Sequence, residues 1–157
     1  MGVTTEMDAY VMCGPQGAGK STYAGELVLR ENATIISGDS IREELFGSAD
    51  IQGDWVSIHN RIEEYVAECA GRGLTIVLDG THWKKSYRAE AITLLRSYGY
   101  TRIEAVVCNP SLATCMARNW SRKRNVPDYV LKTTYERFQS SVKGIDSEDF
   151  DHITYIL

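Results

Sequence analysis

The sequence predicts a three-layer α/β sandwich, a five-stranded, mostly parallel sheet with helices on both faces. Three observations carry that expectation. Short apolar runs rich in β-branched residues alternate along the chain with segments of helical period. Asp39, Asp79 and Asn109 each stand just past such a run, where the carboxyl ends of parallel strands present chemistry. The first run breaks at once into a glycine-rich loop that opens a helix. With 157 residues, 43% of them hydrophobic, one domain with an ordinary core is expected over 1–157.

The first strand is Asp8–Cys13, followed by the loop Gly14–Ser21 and a helix to Arg30 with Tyr23, Ala24, Leu27 and Val28 on one face. Ala33–Ser37 reads as the second strand. Ser40–Phe46 follows as a helix whose start carries a capping box, Ser40 with Glu43. After a polar loop, Gly47–Asp54, the residues Val56, Ile58, Ile62, Tyr65, Val66 and Cys69 predict a longer helix over 55–71, which Gly71-Arg-Gly73 ends. Leu74–Leu78 is a near-continuous apolar strand, as expected of one buried on both faces. Lys84–Tyr98 is amphipathic through Tyr87, Ala91, Leu94 and Leu95, and Gly99 closes it. Ile103–Cys108 is the fourth strand, and Asn109-Pro110 begins a helix with Pro110 in its first turn. Val126-Pro127-Asp128 breaks the chain, Tyr129–Val142 is helical, and His152–Leu157 forms the last strand.

The loop Gly14-Pro-Gln-Gly-Ala-Gly-Lys-Ser21 matches G-x-x-x-x-G-K-[ST] between a strand and a helix, the context that this motif requires. Its glycines let successive backbone N–H groups turn inward around a phosphate, with Gly14, Pro15, Gln16, Gly17, Ala18, Gly19, Lys20, Ser21 and Thr22 as the nucleotide-binding set. Lys20 reaches the outer phosphates, Ser21 offers a hydroxyl to Mg²⁺, and the helix points its positive end at the same anion. The fold expected is therefore a P-loop NTPase sandwich, with ATP and Mg²⁺ as cofactors.

Phosphoryl transfer also needs a group to take or orient the nucleophile's proton and positive charge on the transferring oxygens. Asp39 is placed to accept a proton from an attacking hydroxyl, Ser40 and Glu43 leaving it no capping duty. Arg42, three residues on, shares its helix face and either binds an anionic group of the substrate or pairs with a nearby acid. Asp79 ends the strand beside the loop strand and can hold the metal or a substrate group. Gly80 follows it where water-activating ATPases carry glutamate, so a hydroxyl acceptor is expected over water. Arg118 and Arg122, four apart and so stacked on one helix face, head a basic run with Lys123, Arg124 and the flat ring of Trp120. Such a run can form a lid over ATP, here about 112–127.

The net charge of −4 argues against a protein permanently coated on a polyanion, though not against brief contact. Cys13, Cys69, Cys108 and Cys115 lie far apart and are read as reduced core residues, and the three histidines suggest no zinc site. The Asp149-Phe-Asp151 pattern precedes the last strand and is set aside. No apolar stretch is long enough to span a membrane and no signal segment is visible, so a cytoplasmic location is expected, with no membrane partner and no reading of oligomeric state.

Taken in order, Gly14-Pro-Gln-Gly-Ala-Gly-Lys-Ser-Thr22, Ser37-Gly-Asp-Ser-Ile-Arg42, Asp79-Gly-Thr81 and Arg118-Asn-Trp-Ser-Arg122 with Val126-Pro127 resemble the kinase domain of phage polynucleotide 5′-hydroxyl kinase, among the zeta-toxin-like AAA P-loop kinases. The resemblance implies that Asp39 is a general base, that Arg42 binds the acceptor's phosphate, and that Arg122 is a lid residue on the ATP phosphates. Asp79 corresponds to the family's D-x-[TN] carboxylate. Gly38 and Ser40 stand where the family usually has Arg or Asn and a second acid. The expected activity is transfer of the ATP γ-phosphate to a hydroxyl, the 5′-hydroxyl of a nucleic acid end. The alternatives are a small-molecule acceptor (sugar, antibiotic or nucleoside) or a nucleotide-binding module without turnover, because the same scaffold serves many acceptors.

Overall fold

Strand β1 (Asp8–Cys13) is buried from Ala9 to Cys13, so neither of its faces meets water and it must run between two other strands. The computed structural model describes residues 6–123 and 125–156. It contains four further strands, β2 (Thr34–Ser37), β3 (Ile76–Asp79), β4 (Arg102–Cys108) and β5 (His152–Ile156). The sheet order is β2-β3-β1-β4-β5, and each neighbouring pair is parallel. Of the residues expected from sequence in these elements, Leu157 lies outside the described residues.

Six helices connect and cover the strands: α1 (Lys20–Glu31), α2 (Gly38–Phe46), α3 (Trp55–Gly71), α4 (Lys85–Ser97), α5 (Leu112–Trp120) and α6 (Asp128–Val142). Side chains alternate across β1, so Ala9, Val11 and Cys13 face one layer and Tyr10 and Met12 the other. On the first face they pack with Ile41 of α2, Ile58 and Val66 of α3 and Leu95 of α4. On the second they meet Ala24 and Leu27 of α1 and Cys115 of α5. Helix α6 belongs to both cores, through Leu131 on one and Phe138 on the other. Its Gln139 exchanges two amide hydrogen bonds, 2.6 and 3.1 Å, with Asn109 at the end of β4. No helix among the described residues is long and apolar enough to cross a membrane.

Local expectations give way in α2, α5 and α4. The cap of α2 is Ser37, whose Oγ accepts from the Ser40 N–H at 3.3 Å, and not a Ser40/Glu43 box. The strand hands directly to the helix with Gly38 already helical, so the last strand residue does the capping. Helix α5 begins at Leu112 with Ser111 as its cap, so Pro110 lies before the first turn. The buried stripe of α4 runs Arg88, Ala91, Ile92, Leu95, leaving Tyr87 at 40% exposure. Arg88 is fully buried because every guanidinium nitrogen is satisfied. Nε and Nη2 grip Glu148 at 2.7 and 2.8 Å, and the carbonyls of His82, Trp83 and Ser141 accept at 2.9 to 3.0 Å. This one side chain ties the turn after β3 to the end of α6.

Candidate functional site

All five strands end on the same edge, and the loop Gly14–Gly19 bends there because its backbone has no room for side chains. A Cβ on Gly14 would stand 2.4 Å from the Cys108 carbonyl oxygen, and one on Gly17 2.6 Å from that of Cys115. Gly17 and Gly19 also hold φ of +77° and +89°, the left-handed region that only glycine enters freely. The loop is anchored at its start by Gly14 N–H donating to Thr81 O at 3.0 Å and closed by Ala18 N–H on Pro15 O at 3.2 Å. Gly19 ends as the N-cap of α1 without a capping side chain, which leaves first-turn N–H groups facing the hollow of the loop. Buried in the same loop, the Gln16 Oε1 has no hydrogen-bond partner among the described residues.

Lys20 folds its ammonium back into the loop, donating to Pro15 O at 2.8 Å. The enclosing protein atoms push its pKa below the usual lysine range, against the pull of the Asp79 carboxylate. Ser21 turns the other way and donates to Asp79 Oδ2 at 3.1 Å, so a hydroxyl and a carboxylate converge at the loop's mouth. Thr22, next along α1, is exposed. Ser21 and Asp79 are hard oxygen donors of the kind Mg²⁺ uses when it binds by one or two protein ligands and otherwise by water and phosphate. Among the described residues no group of three or more His, Cys, Asp or Glu could form a dedicated metal cage.

The sheet register brings the second cluster alongside. Ser37 is the partner of Asp79 across the β2–β3 ladder, so the chain enters α2 directly beside the Asp79 carboxylate. Asp39 occupies the first turn of α2, where its charge suits the helix dipole. Arg42 Nη1 donates to Asp39 Oδ1 at 3.3 Å, the ion pair that i,i+3 spacing allows. Arg42 is otherwise mostly covered, and its Nε is buried without a hydrogen-bond partner among the described residues.

Helix α5 lies over the loop from the other side, with Arg118 Nη1 donating to Gly17 O at 3.5 Å. The expectation that Arg118 and Arg122 share a helix face is overturned, because α5 ends at Trp120 and Arg122 lies beyond it in a turn, its N–H on Asn119 O. The physical cause is Asn119. Its buried amide donates to Val126 O at 2.7 Å and accepts from Val126 N–H at 3.0 Å, holding those two residues together where the helix ends. Arg122 and Lys123 are exposed just past it. Arg124 lies outside the described residues. Trp120 is 61% exposed, with its indole N–H held by Asp128 Oδ1 at 2.7 Å.

One residue at the edge was not singled out from the sequence. His82, at φ +43°, points its Nδ1 at the Met12 carbonyl oxygen, 2.7 Å away. A carbonyl only accepts, so that nitrogen carries a proton. Burial holds the imidazole below its ordinary pKa, although the Met12 contact and Asp79 pull upward. The neutral ring thus clamps the loop after β3 to the end of β1, directly behind the glycine loop. A signal was present in the Asp79-Gly-Thr-His82 spacing, but a lone histidine is not legible as a clamp. All four cysteines are free and buried, as expected.

The profile of a family described as AAA domain matches residues 10–143. No curated protein matches the sequence. Among solved structures, a chain of the Pnkp1/Rnl/Hen1 RNA repair complex is similar with a TM-score of 0.79 at 16% identity, covering 94% of this chain and 48% of that one. A gluconokinase from Sinorhizobium meliloti 1021 is similar with a TM-score of 0.62 at 20% identity, over 94% of this chain and 81% of that one. The Mycobacterium tuberculosis APS kinase CysC gives 0.58 at 20% identity, over 74% and 70%. At such identities the likeness is one of fold. The chain spans about half the length of the RNA repair chain it matches.

Proposed function

The chain belongs to the AAA domain family and has the fold of the P-loop kinases, and from that premise we propose that it is an ATP-dependent phosphotransferase. Its acceptor is a hydroxyl, specifically the 5′-hydroxyl of a polynucleotide, and the whole of 1–157 serves as one kinase domain with a lid at about 112–127. The observation that supports the reading is a grouping at the sheet edge. Lys20 and Ser21 of the loop, Asp79 of β3 in contact with Ser21, and the Asp39–Arg42 pair on the helix that starts beside Asp79 across the β2–β3 register are the kinds of group that phosphoryl transfer uses.

In this reading the loop from Gly14 to Thr22 holds the ATP phosphates, and Lys20 leaves Pro15 O to meet the outer phosphate oxygens. Ser21 and Asp79 would hold Mg²⁺, which supplies charge neutralisation on the phosphates when bound. The acceptor oxygen attacks the γ-phosphorus as its proton passes to the Asp39 carboxylate, and ADP departs with the electrons of the broken P–O bond. Transfer through a loose transition state asks little of the base until late, so proton acceptance and positioning are worth roughly 10²-fold or more. Arg42 contributes to the acceptor side, where its buried Nε, without a partner among the described residues, is a donor that an acceptor phosphate would satisfy. Arg118 and Arg122 act on the nucleotide from the lid, and the site belongs in the cytoplasm, where ATP is abundant.

A small-molecule acceptor is the second reading, and one observation favours it: the Arg42 guanidinium already has a carboxylate partner in Asp39. Transfer of label from γ-labelled ATP to a panel of 5′-hydroxyl oligonucleotides, nucleosides and sugars tests both, with Lys20→Ala as the control. Labelling of oligonucleotides supports the first reading. Labelling of sugars alone moves the assignment to the second, and no labelling of any acceptor removes the kinase reading in favour of nucleotide binding without turnover.

A further inference from the structure

Four rings form a contiguous row beside the sheet's carboxyl edge, exposed at Trp55 and Tyr87 and half-buried at His59 and at Trp83, whose other side packs on the core, and none of them belongs to the machinery proposed above. Trp83 meets Tyr87 edge-on with centroids 6.1 Å apart, Tyr87 lies 6.3 Å from Trp55, and Trp55 lies 6.0 Å from His59. They come from the turn before α4, the first turn of α4 and the first two turns of α3. Because the sheet is parallel, both of these helices start at the edge where Asp79 stands. Trp55 is 50% and Tyr87 40% exposed, and Val56 beside them, expected on the inner face of α3, is 62% exposed. Large apolar side chains kept together in water mark a surface that something else covers.

Charge says what covers it. At its Trp83 end the row opens into a groove of about 620 Å³ between the start of α4 and one face of α6, where Lys84, Lys85 and Arg137 outnumber the single acid, Glu136. The Lys84 ammonium sits 5.7 Å from the Tyr87 ring. The far end, which Trp55 itself lines, is a second groove of about 650 Å³ with two acids, Glu63 and Glu90, Glu63 accepting from the Tyr98 hydroxyl, and no lysine or arginine among the described residues that line it. Positive charge is thus concentrated at the end of the row nearest Asp79, only four residues upstream of Trp83.

We propose that this row is a binding track for a single-stranded nucleic acid of several nucleotides. Bases stack on Trp83, Tyr87 and Trp55, and phosphates meet Lys84, Lys85 and Arg137. The proposal rests on the reading of the edge as a kinase site with a polynucleotide acceptor, and adds that the acceptor is single-stranded beyond its terminal nucleotide. Aromatic platforms that lead into a cluster of cations suit single strands, whose bases expose a face to stack on; a duplex hides those faces. A sugar could use one ring but has no charge for the cations, so the row favours a polymer.

The test reads binding without ATP, from the anisotropy of a labelled 5′-hydroxyl octathymidylate, next to transfer to thymidine 3′-phosphate, which is too short to reach the row. The variants are Trp55→Ala with Tyr87→Ala, and Lys84→Glu with Lys85→Glu, all at exposed positions. Each pair is expected to weaken octamer binding about tenfold or more, with the charge reversal also flattening its salt dependence, while transfer to thymidine 3′-phosphate is unchanged. Trp55→Phe with Tyr87→Phe should retain binding. Octamer affinity equal to the parent in both pairs, or a blunt duplex bound at least as tightly as the single strand, would overturn the track. Absence of transfer to every acceptor with octamer binding still lost in the variants would remove the kinase reading alone and leave the track standing.

Discussion

The Ser21 hydroxyl donates to the Asp79 carboxylate at 3.1 Å, joining the first turn of α1 to the end of β3. Two oxygens in direct contact are expected to act as a unit. Ser21→Ala and Asp79→Asn should each lower kcat/KM by about 10²-fold and raise the Mg²⁺ concentration needed for half-maximal rate, since each removes one hard oxygen ligand. The double variant should cost little more than the worse single one, because groups serving one ion are not additive. Additive losses, or an unchanged Mg²⁺ requirement, would separate the two side chains from a common metal.

Arg118 reaches the loop from inside α5, while Arg122 stands past the helix end, next to the Asn119–Val126 contact. That difference predicts different kinetics. Arg118→Ala should act mainly on nucleotide affinity, because its contact with the loop already exists. Arg122→Ala should lower kcat more than it weakens ATP binding, as its contact would form only on closure. Asn119→Ala should reproduce the Arg122 defect without touching a phosphate and also cost stability of about 1–3 kcal/mol, from the Val126 N–H and carbonyl it leaves unpaired. ATP titrations beside steady-state rates decide. Parent-like kcat in Asn119→Ala would show that the bracket does not position the lid.

Much of this site is legible in the sequence because it is local. The glycine loop, its lysine and its serine are fixed within eight residues, and the apolar runs on either side can only be buried strand and helix. What escaped depends on distance along the chain or on a choice between near-equals. Arg88 reads as an exposed polar position, since its partners Glu148 and Ser141 are more than fifty residues away. Ser37 and Ser40 are both reasonable caps, and only the direct passage of β2 into α2 favours the first. The end of α5 is set by Asn119 finding Val126, which helical periodicity through Arg122 cannot reveal. The aromatic row joins separate helices and has no sequence pattern at all.

The Arg88–Glu148 pair should be a principal determinant of stability. Removing one partner strands the other in a dry site, so Arg88→Ala is expected to cost about 3–5 kcal/mol. The pair Arg88→Leu with Glu148→Leu should recover only part of that, because the carbonyls of His82, Trp83 and Ser141 then lose their donor. Urea denaturation reads this as a shifted midpoint at constant slope. Full recovery in the double variant would mean that the carbonyl contacts contribute nothing.

Burial pushes the Cys13 thiol up to about 12. In the unfolded chain it titrates near its ordinary value of about 8.5, so the folded state keeps a proton that the unfolded state loses. Its contribution is intact below about pH 8.5 and is lost as pH rises toward the folded value, at up to about 1.4 kcal/mol per pH unit. Cys69, Cys108 and Cys115 are raised in the same direction, also by burial. Denaturation midpoints between pH 8 and 11 should therefore fall, and fall less steeply in Cys13→Ala. A thiol reagent at pH 8 should find the cysteines only after denaturant is added. Parallel pH profiles for parent and variant would show that Cys13 ionises as readily folded as unfolded.

Asp39 and Arg42, paired at 3.3 Å, divide the acceptor hypotheses most sharply. Asp39→Asn keeps the shape of the first turn of α2 and removes the group able to take a proton, so every acceptor should lose about 10²-fold or more in rate while ATP binding barely changes. It also takes away Arg42's partner, which frees the guanidinium. Arg42→Gln should raise KM for acceptors with a 3′-phosphate and leave ATP unaffected, because the lost interaction lies on the acceptor side. The ion pair predicts a further asymmetry. If the acceptor phosphate competes with Asp39 for Arg42, the nucleotide acceptor should bind more tightly to Asp39→Asn than to the parent, even as turnover collapses. Equilibrium binding of thymidine 3′-phosphate to parent, Asp39→Asn and Arg42→Gln measures this directly. Tighter binding in the first variant and weaker binding in the second would assign Arg42 to the acceptor phosphate. Unchanged binding in both, with Asp39→Asn still inactive, would keep the kinase and move its acceptor to a small neutral molecule.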